Sequence, residues 1–430
     1  MRYSGDVVTK MLSDVVLPSM VRIRQTFDRQ YLPDVSAEVQ RELREKRMGD
    51  QLKPRMKVAV TCGSRGITDI ALVVKEVCSF VKACSADPFI LPAMGSHGGD
   101  ATGQREILES YGVTEDFCGA PIRATAQSTL IGYTNENEGV YINSYAAQAD
   151  RIIIINRIKA HTDFRGPYES GILKMMVVGL GGIDGAQRFH ERGPAVLSER
   201  LQALGDVVIK NAPILCGVGI LENAYDETRK ISVMRKEEIL TREPELLREA
   251  KQYMGRLMFD DIDLLIVDQF GKDISGSGMD PNIAGTFVPP MKHERLRVNK
   301  RTVLDLTENS HGNFAGIGSV DTITKRCFEK FDLEKTYPNC IVDTTVDTFK
   351  APLIFNCDFE AIAACIKLAR GIDRGNPRIV RIRDTLHVSE FLISAALVPL
   401  AKENSDITIL SEAKPMQFDS RGDLVDRRVI

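Results

Sequence analysis

Apolar and polar positions alternate along this chain in blocks that predict strand, helix and strand in turn. MKVAVTC (56–62) is an apolar run closed by Gly63, the pattern of a strand buried on both faces. ITDIALVVKEVCSFVKAC (67–84) carries its apolar residues at helical spacing. DPFILPAM (87–94) predicts a second strand, and DATGQREILESYG (100–112) a helix stopped by Gly112. RIIIIN (151–156) is another short buried strand. GLGGIDGAQRFHERG (179–193) reads as a glycine turn and a short helix capped by Asp184, and AVLSERLQALGDVVIKN continues as helix. Residues 1–53 are mixed and charged and predict helix, most clearly in VSAEVQRELREKRMGDQL. This alternation predicts an α/β fold with a largely parallel sheet in the N-terminal domain. Ligands of such sheets bind beyond the carboxyl ends of the strands.

A boundary is expected near residues 255–262, after the charged helix EPELLREAKQYMGRL. DIDLLIVDQF (261–270) opens a second α/β unit with the loop GKDISGSGMDPNIAGT. NCDFEAIAACIKLARG then predicts a helix, PRIVRIR a strand and HVSEFLISAALVPLAKE a helix. The expected division is an N-terminal cofactor domain over 1–258 and a second, substrate-contacting domain over 259–409. The tail 410–430 can rejoin the first domain, and the active site is expected in the cleft between the two.

Composition narrows the class. A chain of 430 residues allows two or three domains with ample core. With 43% hydrophobic and 27% charged residues it reads as a soluble globular protein. A net charge of −3 supplies no basic footprint for nucleic acid or anionic membrane. No apolar run approaches the ~20 residues that span a bilayer, and MRYSGDVVTKMLSDVV has no signal-peptide core. Nine cysteines without a C-x-x-C pair read as reduced thiols, so a cytoplasmic protein is expected.

Six histidines occupy positions 97, 161, 190, 293, 311 and 387. His293 and His387 carry no functional signal. His97 stands between glycines in AMGSHGGD at an expected strand end, where a core role is unfavourable. His161 precedes the polar loop TDFRG, and His190 lies on the short helix after GLGG. Imidazoles so placed serve as bases or metal ligands, although no spacing matches a zinc signature. Lys174 lies in the apolar stretch ESGILKMMVVGL. It is either a lysine that snorkels to the surface or a desolvated amine suited to covalent attachment of a cofactor. GSRG (63–66) and GSHGGDATG (95–103) are turns able to cradle an anion, with Ser64 and Arg65 in the first. Neither matches the Walker A or dinucleotide fingerprint. Gln269 and Lys272 stand at a strand end of the second domain, where a polar loop would look the same.

Taken in order, VAVTCGSRG, PAMGSHGG, NRIKAHTDFRG, ESGILKMMVVGLGG, GAQRFH and DQFGK resemble the nickel-dependent lactate racemase superfamily from about residue 55 to about residue 400. The resemblance implies a nickel-pincer nucleotide, a pyridinium mononucleotide with two sulfur-bearing arms, tethered to Lys174 and with nickel bound by His190. It implies catalytic bases at His97 and His161, cofactor contacts at Ser64 and Arg65, and substrate contacts at Arg65, Gln269 and Lys272. The implied activity is racemisation or epimerisation at C2 of a small-molecule 2-hydroxy acid, with cofactor-delivery proteins as possible partners. The chain departs from lactate racemase at Cys62, which replaces an acidic residue, in a longer stretch between His161 and Lys174, and at Asp268, which replaces an aromatic. It also has no tryptophan. A polar or sugar acid such as an aldonate is therefore expected, with His311 and Asn313 of ENSHGNFAGIG reaching substrate hydroxyls or serving only as turn residues. The alternatives are lactate racemase proper, oxidation that stops at the keto acid, a non-catalytic cofactor-binding or storage protein, and a metal-independent sugar-acid binder.

Overall fold

The computed structural model describes residues 5–95, 97–193, 196–287, 296–343 and 346–426; His293 lies outside them. The chain divides into two compact units, one of Asp28–Met254 and one formed by the first 27 residues together with those from Gly255 onward. This corrects the expected grouping of both ends with the N-terminal domain. The first strand, β1 (Met20–Gln25), pairs antiparallel with Glu390–Ser394 and Ile407–Ile409. The tail returns to the same sheet, bridging Met20 through Lys414 and donating the Leu424 N–H to Asp358 at 2.8 Å. The reason is a period of two inside a charged stretch. Val21, Ile23 and Gln25 are buried, while Arg22 and Arg24 turn to Glu390.

The unit Asp28–Met254 contains β2 (Lys57–Cys62), β3 (Asp87–Pro92), β4 (Ser128–Tyr133), β5 (Gly139–Asn143), β6 (Arg151–Arg157), β7 (Ile214–Glu222) and β8 (Thr228–Arg235). Five of them form a sheet in the order β3-β2-β6-β7-β8, parallel except for β8. β4 and β5 form a separate antiparallel pair. β6 shows why RIIIIN lacks polar positions. Ile152 and Ile154 enter one hydrophobic core with helix Leu197–Asn211, and Ile153 and Ile155 enter another with helix Ile70–Ala83. The helix after the glycine turn spans Gly182–His190, but Asp184 lies within its first turn instead of capping it. That carboxylate accepts a hydrogen bond from Ser128 Oγ.

The other unit contains β9 (Asp261–Val267), β10 (Arg297–Val303), β11 (Thr322–Thr324), β12 (Leu353–Phe355), β13 (Ile379–Ile382), β14 (Glu390–Ser394) and β15 (Ile407–Ile409). The sheet order is β12-β11-β10-β9-β13-β14-β1-β15, with β12 to β13 parallel and the last three antiparallel. HVSEFLISAALVPLAKE is thus mainly a strand followed by the short helix Val398–Glu403, because Phe391 and Ile393 alternate into the core. No helix among the described residues is long and apolar enough to cross a membrane.

Candidate functional site

Three adjacent parallel strands, β3, β2 and β6, end on one edge of their sheet. The His97 loop follows β3, Ser64 and Arg65 follow β2, and His161 follows β6. Ser64 Oγ and His97 Nδ1 lie 2.6 Å apart, joining the first two loops, and His97 is exposed. Arg65 is also exposed; the charged and titratable groups that face it are Tyr111, Arg157 and Asp163.

His161 is buried in a loop closed at its base by paired backbone hydrogen bonds between Lys159 and Ser170. Its ring packs on Phe164, with centroids 4.2 Å apart. Its Nδ1 accepts the Asp163 backbone N–H at 3.0 Å. A nitrogen that accepts cannot carry the hydrogen, so the neutral ring is protonated on Nε2. Burial, and then the positive charge of Lys174, push its pKa well below the ordinary imidazole value.

Lys174 ends the short α-helical turn Ile172–Lys174, and the chain continues as a π-helical turn, Met175–Gly179. Such turns recur at functional sites. Two glycines seat this segment. A Cβ on Gly179 would lie 2.7 Å from the Ala93 carbonyl oxygen, and one on Gly63 would lie 2.8 Å from Met175 Cε. Side chains there would push the Lys174 segment off the strand-end loops. Lys174 itself is half-buried.

His190, half-buried, ends the following helix. Its Nδ1 lies 2.8 Å from the Ala186 carbonyl oxygen. A carbonyl only accepts, so Nδ1 carries the hydrogen and Nε2 keeps its lone pair. Burial and Lys174 lower its pKa, against the Ala186 hydrogen bond, which raises it; the ring is a neutral donor. Phe164 and Phe189 bridge the two imidazoles, with successive ring centroids at 4.2, 6.2 and 5.0 Å. No three His, Cys, Asp or Glu side chains converge on a metal-holding group among the described residues.

Two buried carboxylates complete this region, and motif reading had passed over both. Glu169 is 1% exposed and accepts the His161 N–H at 2.8 Å. Glu243, also 1% exposed, accepts the Leu173 N–H at 2.9 Å, next to Lys174. The available signal for Glu243 was its place in line with Ile239, Leu246, Leu247 and Ala250 on the buried face of helix Ile239–Tyr253. Burial raises its pKa to about 8, against the backbone N–H groups that lower it. The folded chain therefore holds a proton here that the unfolded chain releases near the ordinary glutamate value. Stability from this group is complete at low pH and is lost as pH rises toward 8. Glu243→Gln keeps an acceptor without the charge. Urea unfolding at about pH 5 and about pH 8.5 should show a few kcal/mol less pH dependence in the variant than in the wild type. Equal pH dependence in both would refute the assignment.

In the other unit, Gln269 is half-buried at the end of β9, with its N–H on the Arg383 carbonyl at 2.8 Å. The Lys272 ammonium donates to the Gly276 carbonyl. His311 is exposed in the left-handed conformation (φ 49°), capping the turn Glu308–Ser310. The Asn313 amide donates to the Lys335 carbonyl at 2.9 Å and to Asn339 Oδ1 at 2.7 Å, and its Oδ1 accepts from the Ala315 N–H. Its polar atoms therefore tie a loop to helix Leu333–Asp343. Asp268 is buried in a two-pronged ion pair with Arg381, both contacts at 2.9 Å.

The structure is similar to the lactate racemase apoprotein from Thermoanaerobacterium thermosaccharolyticum, at 13% identity and TM-score 0.49, over 86% of this chain and 99% of that one. It is also similar to a protein from Thermotoga maritima, at 13% identity and TM-score 0.48, over 74% of this chain and 82% of that one. No match was found among curated proteins. Residues 14–202, which include Ser64, His97, His161, Lys174 and His190, match the family model of the lactate racemase N-terminal domain.

Proposed function

We propose that this protein is a racemase or epimerase that inverts C2 of a 2-hydroxy acid, using a nickel-pincer nucleotide tethered to Lys174. The observation that carries the reading is the hydrogen bond that turns His190 Nδ1–H to the Ala186 carbonyl, within a segment that matches the lactate racemase N-terminal domain model. The residues fit the group. An imidazole whose Nδ1–H is held by a carbonyl is oriented as a metal ligand through Nε2, and imidazole suits nickel. Lys174 offers the amine for the tether. When bound, the group supplies an acceptor for the C2 hydride.

The chain's own residues handle the proton and the carboxylate. His97 and His161 exchange the substrate hydroxyl proton from separate strand-end loops. The presence of two such bases supports catalysis over cofactor storage. The Arg65 guanidinium holds the carboxylate as a two-pronged donor. Arg65→Lys should raise KM by about tenfold, because a point charge loses the fork, with a smaller change in kcat. Steady-state kinetics that leave both constants unaltered would remove Arg65 from this role.

A hydroxylated acid such as an aldonate is favoured over lactate because the chain has no tryptophan to wall a methyl group. A single apolar contact of that kind discriminates by only about 1–3 kcal/mol. Asp268, committed to Arg381, contributes nothing to this preference. The test begins with protein made in a host that synthesises the cofactor, analysed by intact mass and for nickel. Lactate, malate and five- and six-carbon aldonates are then followed for C2 inversion by chiral chromatography. Neither adduct nor nickel would overturn the reading, whereas lactate outpacing every polyhydroxy acid would change only the substrate.

A further inference from the structure

We infer that Glu169 is a positioning residue that fixes the backbone and tautomer of His161 through a clamp formed with Arg165 and Lys251. The inference rests on reading His161 as an acid–base group, and it concerns a residue outside the motifs.

Both backbone polar groups of His161 are held. Glu169 Oε2 accepts its N–H at 2.8 Å, and Arg165 Nη1 donates to its carbonyl oxygen at 2.6 Å. The two clamping side chains face each other, Arg165 Nη1 lying 3.4 Å from Glu169 Oε2. The other oxygen of Glu169 receives Lys251 Nζ at 2.7 Å, from helix Ile239–Tyr253. It also accepts the Gly166 N–H at 3.4 Å. A buried carboxylate is stable only when paired and hydrogen-bonded, and here every partner belongs to the His161 loop or braces it from that helix.

The consequence reaches the ring. With the peptide groups on either side of His161 fixed, the next turn of chain brings the Asp163 N–H to Nδ1. That hydrogen bond places the proton of the neutral ring on Nε2. A loop released from Glu169 can turn this donor away, and the tautomer is then no longer dictated.

The test reads the tautomer directly, in the full chain with no cofactor required. Nitrogen NMR of histidine-labelled protein, assigned with His161→Asn, should show His161 wholly in the Nε2–H form in the wild type. In Glu169→Gln the tautomers should mix, because the amide has one acceptor oxygen and no charge with which to hold both Arg165 and Lys251. In the loaded enzyme kcat should fall by about tenfold or more, with KM within about twofold. Lys251→Met, at a half-exposed position, tests the same clamp if the first variant does not fold, and Lys251→Arg should restore both readouts. Variants that fold and keep a pure Nε2–H tautomer would overturn the role of Glu169. A shifted tautomer in a protein that never racemises would uphold the clamp and overturn the racemase reading instead.

Discussion

Replacing Lys174 with alanine should remove the covalent mass increment completely, while replacing His190 with alanine should keep part of the nucleotide and lower nickel by more than about tenfold. The two residues take separate parts in one attachment. Lys174 carries the only amine in ESGILKMMVVGLGG, on a helical turn seated by Gly63 and Gly179 and capped by Glu243. No neighbouring side chain in that stretch can replace it as nucleophile. His190 Nδ1 is held by the Ala186 carbonyl, which leaves its Nε2 as the atom that would bind nickel. Losing an orienting partner already costs a metal site about 10–100-fold in affinity, and losing the ligand itself costs more. Intact mass and metal analysis of the two variants separate these effects. An unchanged adduct in Lys174→Ala, or normal nickel in His190→Ala, would sink the assignment.

The strand-end loops were legible because they follow unbroken apolar runs. MKVAVTC, DPFILPAM and RIIIIN all form strands, and the residues singled out after them share one sheet edge. β1 was not legible. MVRIRQ has only six residues, and its two arginines outweigh its alternation. The pairing of both chain ends with the second sheet depends on contacts hundreds of positions apart, such as Met20 with Ser394, which no local pattern encodes. Within the site, identity was readable and state was not. His161 and His190 stand out before a polar loop and on the short helix after GLGG, but their tautomers follow from Asp163 and Ala186, visible only once the backbone is folded. Glu169 in GPYESGIL has no periodicity to betray burial, whereas Glu243 interrupts an apolar helix face and could have been flagged. Asp268 shows the opposite failure. It was read as replacing a pocket aromatic, and the structure shows it buried in an ion pair with Arg381.

His97→Ala and His161→Ala should each lower turnover by about 10²–10⁴-fold, the usual contribution of a positioned acid or base. They should do so for different reasons. His97 is exposed, and its Nδ1 partner is a hydroxyl that can donate or accept, so either tautomer is available to it. His161 is buried and held with its proton on Nε2, and becoming an imidazolium is costly there. Burial is the largest part of that cost, and the charge on Lys174 is the next, followed by His190, Lys159 and Arg165. Lys174→Ala removes the second contribution and leaves the others. The pH at which His161 protonates should therefore rise in Lys174→Ala, while staying below the ordinary imidazole value because the ring is still buried. The checks are the turnover of the two alanine variants with either enantiomer and an NMR titration of His161 in wild type and Lys174→Ala. Wild-type racemisation by either alanine variant would remove that residue from proton transfer. A His161 titration unmoved by the loss of Lys174 would show that the two groups are not coupled.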